Sequence, residues 1–239
     1  MTADNDQPMT ASEHGGSGRA WRALDRLHDV PLNFDVPAED HFDPAQGWRL
    51  DSYRQPLPDE QPGEPEAGGS FALARASMER YEFGDPQLIR AVYYPDRELR
   101  GRTMLLIGRF LFLRFQMGAR VDHVIDEQSQ REGRDVRIWG WGYQTLRGHL
   151  ETGQMRFEVW KWLDDGSVEF RIDAASRPAR IPNPIVRLGF RVFGRRLQVR
   201  FAQHACARML AIVRARQRGD AVRESAVETI DVRPLADAD

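Results

Sequence analysis

Residues 136–173 read VRIWGWGYQTLRGHLETGQMRFEVWKWLDDGSVEFRID, in which strand-like runs alternate with turn-forming residues. The runs cover residues 136–143, 154–163 and 167–173, and two earlier runs of the same character cover 103–116 and 121–127. Asp165-Gly166 at the last junction is a typical hairpin signal. Strands at this spacing predict an antiparallel meander, which commonly buries one face and exposes the other.

After Pro184 the period of the apolar residues changes from two to between three and four. One stripe continues through roughly eight helical turns and contains Val186, Phe190, Phe193, Leu197, Phe201, Ala205, Met209 and Ile212. A long C-terminal helix that follows an antiparallel meander predicts the α+β class. We therefore expect a curved antiparallel sheet wrapped around this helix.

Composition divides the chain into three parts. Residues 1–69 are acidic and rich in Pro and Gly, and we expect them to be mostly disordered apart from a short amphipathic helix near residues 19–28. Residues 70–218 should form the compact domain, beginning with a strand at Phe71. Residues 219–239 should form an acidic tail.

Several classes of protein are excluded by simple counts. The single cysteine, Cys206, rules out an intramolecular disulfide framework and a cysteine-based zinc site, so a reducing cytoplasm is the expected compartment. No apolar run reaches the roughly 18 residues of a membrane helix, and the first residues do not resemble a secretory signal. Phosphate-loop, nucleophile-elbow and metal-ligand spacings are missing as well, so we expect no cofactor and no metal.

The net charge of −2 conceals a basic segment, because residues 171–218 carry 12 Arg and a single acid. Bulk nucleic-acid binding is not expected from the total. Arg191, Arg195 and Arg200 on the predicted helix could nevertheless bind phosphate groups of RNA or of an anionic membrane. The alternative is a solvated helix face paired with acidic segments, since 33 of the 34 basic residues of this chain are Arg.

An aromatic face on one predicted strand suggests a ligand cavity. Trp139, Trp141 and Tyr143 alternate with glycines, so three rings share one side of the strand with no side chain opposite. Phe190 and Phe193 on the helix stripe could line the same cavity. Ordinary core packing against the final helix is the alternative for all five residues.

A polar pair follows the aromatic strand. His149 and Glu151 are two residues apart, which places both side chains on one face of an extended backbone. They could orient the polar group of a ligand or act as an acid–base pair. The alternative is that they cap a hairpin shaped by Gly148 and Gly153.

The same region resembles a bacterial and plant family known only as a domain of unknown function. Members of that family show a Gly-Thr-Leu-x-Gly-His-x-x-x-Gly segment, an Asp-Gly turn and Ser-Arg-Pro before the last helix. The matching residues here are Thr145, Leu146, Gly148, His149, Glu151, Gly153, Asp165-Gly166 and Ser176-Arg177-Pro178. Tyr143-Gln144 departs from the pattern by separating Gly142 from Thr145, and the resemblance spans about residues 71–210.

This resemblance implies a fold similar to the START-like helix-grip (SRPBCC) group, whose sheet and last helix enclose an apolar cavity for lipids, sterols or other hydrophobic ligands. It brings no catalytic residues with it. We therefore expect a protein that binds a hydrophobic small molecule or lipid and is not an enzyme. The alternatives are an enzyme that uses His149 and Glu151 as an acid–base pair, and an interaction protein that binds RNA or membrane through its Arg-rich helix.

Overall fold

The structure, a computed structural model, describes residues 11–37, 41–110, 113–179 and 184–220. Within these ranges, the helices are α1 (Ala11–Asp25), α2 (Ser70–Glu79) and α3 (Pro184–Gln217), with a short 3-10 helix at Pro44–Gln46. The strands are β1 (Arg49–Leu57), β2 (Ile89–Val92), β3 (Thr103–Phe110), β4 (Leu113–Arg131), β5 (Arg134–Thr145), β6 (Glu151–Trp162) and β7 (Val168–Pro178). Side chains are described for residues 18–37, 41–108, 115–179 and 194–220.

All seven strands form one antiparallel sheet in the order β1-β7-β6-β5-β4-β3-β2. From β2 to β7, strands that are adjacent in the sheet are also consecutive in the chain, as the spacing of the strand-like runs predicts. The long helix α3 follows the sheet and packs against β1, β7 and α2. The predicted α+β class, an antiparallel sheet with a long C-terminal helix, is confirmed.

The core lies between one face of this sheet and the two helices α2 and α3. Alternate residues of the central strands point into it, as the two-residue period of a strand requires. Buried members from the sheet include Trp141, Phe157 and Phe170, and Met78 and Met209 join them from the two helices. We call this the inner face of the sheet.

Residues 70–79, for which the sequence predicted a strand from Phe71, form helix α2 instead. The buried side chains Phe71, Ala74 and Met78 recur at steps of three and four, so one helical face carries the apolar contacts. The first turn is stabilised from outside the helix, because the Glu60 carboxylate accepts a hydrogen bond from the Phe71 amide at 2.7 Å. The strand prediction was wrong because it followed a short alternation of the apolar residues.

Strand β1 lies within residues 1–69, which the sequence analysis assigned mostly to disorder. It pairs antiparallel with β7 from Arg49–Ser176 to Leu57–Val168. Pro56 does not prevent this, because an edge strand tolerates proline where a central strand does not. The packed domain therefore begins well before residue 70, and the Pro-rich composition concealed an edge strand.

The opposite, outer face of the sheet is covered at both ends. At the β2–β3 end, Ala20 and Leu24 of α1 pack on Val92 and Leu105. Arg120 holds the segment that follows this helix, since its Nη2 donates to the carbonyl oxygens of Leu27, His28 and Val30 at 3.1, 2.6 and 3.1 Å. At the β7 end, Ala175 is covered by Phe34, Phe42 and Trp48. Helix α1 overlaps the helix predicted near residues 19–28 but begins earlier and ends at Asp25.

A buried ion pair joins the sheet to the segment that precedes α2. The side chains of Lys161 and Glu60 are 0% and 1% exposed, and Nζ lies 2.8 Å from Oε2. Lys161 Nζ also donates to the Glu64 carbonyl at 2.9 Å. The Glu60 carboxylate accepts the backbone amides of Glu66 and Phe71 as well, so each charged group has more than one hydrogen-bond partner.

Candidate functional site

A mainly apolar cavity lies between the inner face of the sheet and the part of α3 that begins at Gly194. Its volume is about 140 Å³. The apolar lining is formed by Leu88, Ile89, Leu106, Phe115, Met117, Leu150, Met155, Leu197 and Phe201, with Gly108 and Gly194. Four polar residues complete the wall: Tyr143, His149, Glu151 and Gln198. The same four residues and Met155 also line a smaller pocket of about 40 Å³, so the polar groups gather where the two spaces meet.

The turn between β5 and β6 places His149 and Glu151 at this cavity. Thr145 fixes the base of the turn, since the Gly153 amide donates to Thr145 Oγ1 at 2.9 Å. The same hydroxyl lies 2.7 Å from Asn33 Oδ1, and Asn33 Nδ2 donates to the Glu151 carbonyl at 2.8 Å. The motif residues Thr145 and Gly153 therefore hold the turn, and Asn33 braces it from a distant segment.

His149 is buried, with 9% of the residue exposed, and it makes a specific backbone contact. Its Nδ1 accepts a hydrogen bond from the Glu151 amide at 3.0 Å. Burial lowers the pKa of the imidazole to about 4. The ring is therefore neutral near pH 7, and because Nδ1 accepts, the ring hydrogen lies on Nε2.

Glu151 lines the cavity beside His149, and its carboxyl has a raised pKa. Burial raises the pKa of its carboxyl to about 7, against the lowering effects of a hydrogen bond from Gln198 and the charges of Arg49 and Arg195. Gln198 Nε2 donates to Glu151 Oε1 and also lies 3.2 Å from Ser176 Oγ. The structure therefore places His149 and Glu151 close together, as the sequence predicts. The imidazole of His149 is neutral, however, and carries its hydrogen on Nε2.

The Glu151→Gln variant is expected to lose part of the pH dependence of stability. The folded carboxyl has a pKa of about 7 against an ordinary 4.5, so the folded state retains a proton that the unfolded state releases between these values. The free energy of unfolding of the wild type therefore falls as pH rises through that range. Between pH 5 and 7.5, the free energy of unfolding of the variant should therefore rise by on the order of 2 kcal/mol relative to that of the wild type.

Urea denaturation of both proteins at several pH values measures this difference. The lowered pKa of His149 has the opposite effect between its folded and ordinary values, but it is present in both proteins and cancels in the comparison. Parallel stability profiles for the two proteins would contradict the raised pKa of Glu151.

The aromatic face of β5 divides between the cavity and the core. Tyr143 lines the cavity, and its hydroxyl has a thioether partner, Met155 Sδ, at 3.7 Å. Burial raises the pKa of this phenol above its ordinary value, with the charge of Glu151 as a smaller cause. Trp139 and Trp141 do not line the cavity, so the prediction that they form its wall is corrected. They pack under α2, where Trp141 Nε1 donates to the Met78 carbonyl at 3.1 Å and the Arg75 guanidinium lies 5.0 Å from the Trp139 ring centre.

Three of the residues proposed from the C-terminal helix lie where side chains are not described. The backbone of Phe190, Phe193 and Arg191 belongs to α3, but their side chains lie outside the described residues. Arg195 is engaged within the protein, because its guanidinium binds the Asp51 carboxylate through two contacts of 2.5 and 2.6 Å. Arg200 is exposed. Of these arginines, Arg195 is therefore already paired with a carboxylate of β1.

Sequence reasoning did not assign three polar residues to the site: Gln198, Asn33 and the motif residue Ser176. Gln198 lies on α3, and its partner Glu151 is 47 residues away in the chain. Asn33 precedes its partner by 118 residues. One signal was available, since Gln198 follows Leu197 and offers an amide beside the apolar stripe.

A larger cleft of about 630 Å³ lies between the end of α1 and residues 94–103. Its lining is mostly charged, and internal contacts occupy it: Tyr94 donates to Asp25 Oδ1 at 2.5 Å, and Arg102 Nη2 donates to the Arg97 carbonyl at 2.7 Å. Across the described part of the chain, no group of three or more His, Cys, Asp or Glu side chains is placed to hold a metal ion. None of the described helices combines the length and apolar character needed to cross a membrane.

Solved structures with a similar chain path include three that differ strongly in sequence. Ara h 8.0201 has a TM-score of 0.39 at 9% identity and matches 71% of this chain and 99% of its own. Human STARD10 has a TM-score of 0.36 at 9% identity, covering 90% of this chain and 86% of its own. An uncharacterized protein from Rhizobium leguminosarum has a TM-score of 0.33 at 10% identity, covering 70% and 97%.

Comparison of sequences gives a clearer result for the family than for individual relatives. No curated protein matches this chain. A family model described as a domain of unknown function, DUF1990, matches residues 35–208. This match includes β1 and the turn that carries His149, and it confirms the resemblance inferred from the Thr-Leu-x-Gly-His segment. The chain therefore belongs to the family of the domain of unknown function DUF1990.

Proposed function

We propose that this protein binds a small hydrophobic molecule in the cavity between the inner face of its sheet and α3, without changing it chemically. The observation that supports this proposal is the cavity itself, about 140 Å³ of mainly apolar lining with its polar groups at one end. An apolar cavity of about 150 Å³ is sufficient to hold a benzene ring. The buried part of the ligand is accordingly about one ring or a short branched chain.

Binding is favoured over catalysis by the state of the polar groups. His149 is held neutral with Nδ1 already occupied by the Glu151 amide, so it is not placed to act as a base. Glu151 alone would have to move protons, whereas general acid–base chemistry commonly divides the work between two groups. The apolar wall, by contrast, needs no chemistry to be useful, since burial of roughly 200 Å² of ligand surface contributes about 5 kcal/mol.

The binding proposal predicts that ethylbenzene binds the wild-type protein and that Leu197→Trp prevents this. An affinity with a Kd somewhat below about 1 mM is expected for the wild type from the burial of the ring. Leu197 lines the cavity from α3, so an indole at this position fills the space that the ring would occupy. Isothermal titration calorimetry measures both affinities.

Leu210→Trp is the matched control for this experiment. Leu210 lies on the same helix, is also partly buried against the core and does not line the cavity. This variant should bind ethylbenzene within about twofold of wild type, with a similar change in stability. Equal binding by both variants, or none by the wild type, would contradict the proposed function.

A further inference from the structure

The polar end of the cavity contains one hydrogen-bond donor that the protein does not use. His149 Nε2 is fully buried and has no hydrogen-bond partner among the described residues. The same side chain lines both the main cavity and the smaller pocket. A buried donor without a partner costs about 1–3 kcal/mol, so its presence calls for an explanation, such as a bound molecule that accepts from it.

The protonation state of this nitrogen is determined by the other side of the ring. The Glu151 amide can only donate, and it lies 3.0 Å from His149 Nδ1, so Nδ1 carries no hydrogen. A neutral imidazole then carries its hydrogen on Nε2. The cavity consequently presents an uncharged N–H donor, which is suited to an oxygen acceptor and unsuited to an ammonium group.

The acids around this donor disfavour anionic ligands. The Glu151 carboxyl lines the same two spaces, and Asp51 lines the smaller one as well. A carboxylate or phosphate on the ligand would meet this acid in a poorly solvated space, where repulsion between like charges is strong. Tyr143 adds a second donor, since among the described residues its hydroxyl donates to a thioether, which is a weak acceptor.

We propose that the ligand is an uncharged molecule with an apolar group of about one ring and a carbonyl-type oxygen, and that His149 Nε2 donates a hydrogen bond to this oxygen. This inference rests on the proposed function and specifies its ligand class. The wall selects the ligand by size and apolar surface, whereas the unused donor selects among apolar molecules those that carry an acceptor.

Three probes of similar size test this assignment at pH 7.5: acetophenone, ethylbenzene and benzoate. Acetophenone should bind the wild type about tenfold more tightly than ethylbenzene, which corresponds to one satisfied hydrogen bond. Benzoate should bind at least about tenfold more weakly than acetophenone, because it places a negative charge beside Glu151. Equal affinity for acetophenone and ethylbenzene, or tighter binding of benzoate, would overturn the ligand class but leave the binding proposal intact.

Two variants of His149 distinguish the roles of its two ring nitrogens. In His149→Asn the amide oxygen can replace Nδ1 as acceptor for the Glu151 amide, but nothing replaces the Nε2 donor. In His149→Gln the longer amide can place an N–H near the Nε2 position. The preference for acetophenone should therefore vanish in His149→Asn while ethylbenzene still binds, and it should be partly kept in His149→Gln. A preference that survives in His149→Asn would overturn the assignment.

Nitrogen-15 NMR of histidine-labelled wild-type protein gives an answer that does not depend on how a variant folds. The resonances of His149 should show a protonated Nε2 and an unprotonated Nδ1 at pH 7.5, and acetophenone should shift Nε2 more than ethylbenzene does. Absence of binding by both compounds would contradict the proposed function itself. Binding of acetophenone with no change at Nε2 would contradict only the hydrogen bond.

Discussion

Replacement of Lys161 by Met is expected to lower the free energy of unfolding by about 3–5 kcal/mol. The methionine is of similar length, but it leaves the Glu60 carboxylate, which is 1% exposed, without its cation. Two backbone amides still donate to this carboxylate, yet they do not neutralise its charge. Guanidinium chloride denaturation followed by tryptophan fluorescence measures the change.

Two further variants identify the cause of the Lys161 effect. Lys161→Met combined with Glu60→Gln should be more stable than Lys161→Met alone, because no uncompensated charge then remains buried. Arg131→Met removes one member of a surface pair with Glu127, in which both side chains are 43% exposed, and should cost less than about 1 kcal/mol. A loss in Arg131→Met as large as that in Lys161→Met would show that burial is not responsible.

The second large effect is expected for Gly153→Ala, with a loss of about 3–5 kcal/mol. Gly153 has φ of +149°, and a Cβ at this position would lie 1.9 Å from the Ala175 carbonyl oxygen on β7. Either β7 moves away or the turn that carries His149 and Glu151 changes shape. Thermal unfolding measures the stability, and ethylbenzene binding shows whether the cavity is also lost.

Gly148→Ala in the same turn provides the comparison. Gly148 also has a positive φ, +93°, but a Cβ there would meet nothing within 4 Å. The cost should be limited to backbone strain, about 1–2 kcal/mol. Equal losses of stability in the two variants would show that the close contact with β7 is not the cause of the loss in Gly153→Ala.

The meander and the final helix could be predicted because their signals are local. Alternation, an Asp-Gly turn and a long apolar stripe each fit within one element, and the structure has β5, β6, β7 and α3 in the expected order. Strand β1 and helix α2 were missed because their local signals conflict with their tertiary contacts. Taken alone, Pro56 indicates a loop, and only the pairing of β1 with β7 shows that it lies in an edge strand. The first turn of α2 depends on a hydrogen bond from the Phe71 amide to Glu60, which lies outside the helix.

The candidate site could be predicted only in part, for a related reason. Tyr143 and Trp141 share one face of the same strand, and nothing in their local sequence shows which one meets a helix and which one meets a cavity. The outcome depends on α2, whose Met78 carbonyl binds Trp141 Nε1. Likewise, the pairing of Gln198 with Glu151 depends on how α3 crosses the sheet.

The burial of Lys161 has a consequence for chemical modification. It is the one lysine among 239 residues, and its side chain is 0% exposed. Acylating reagents, lysine-directed crosslinkers and enzymes that attach groups to ε-amines therefore find no such amine on the surface of the folded protein. Modification at this position reports that strand β6 has separated from the Glu60 segment, so the rate of labelling becomes a measure of local opening.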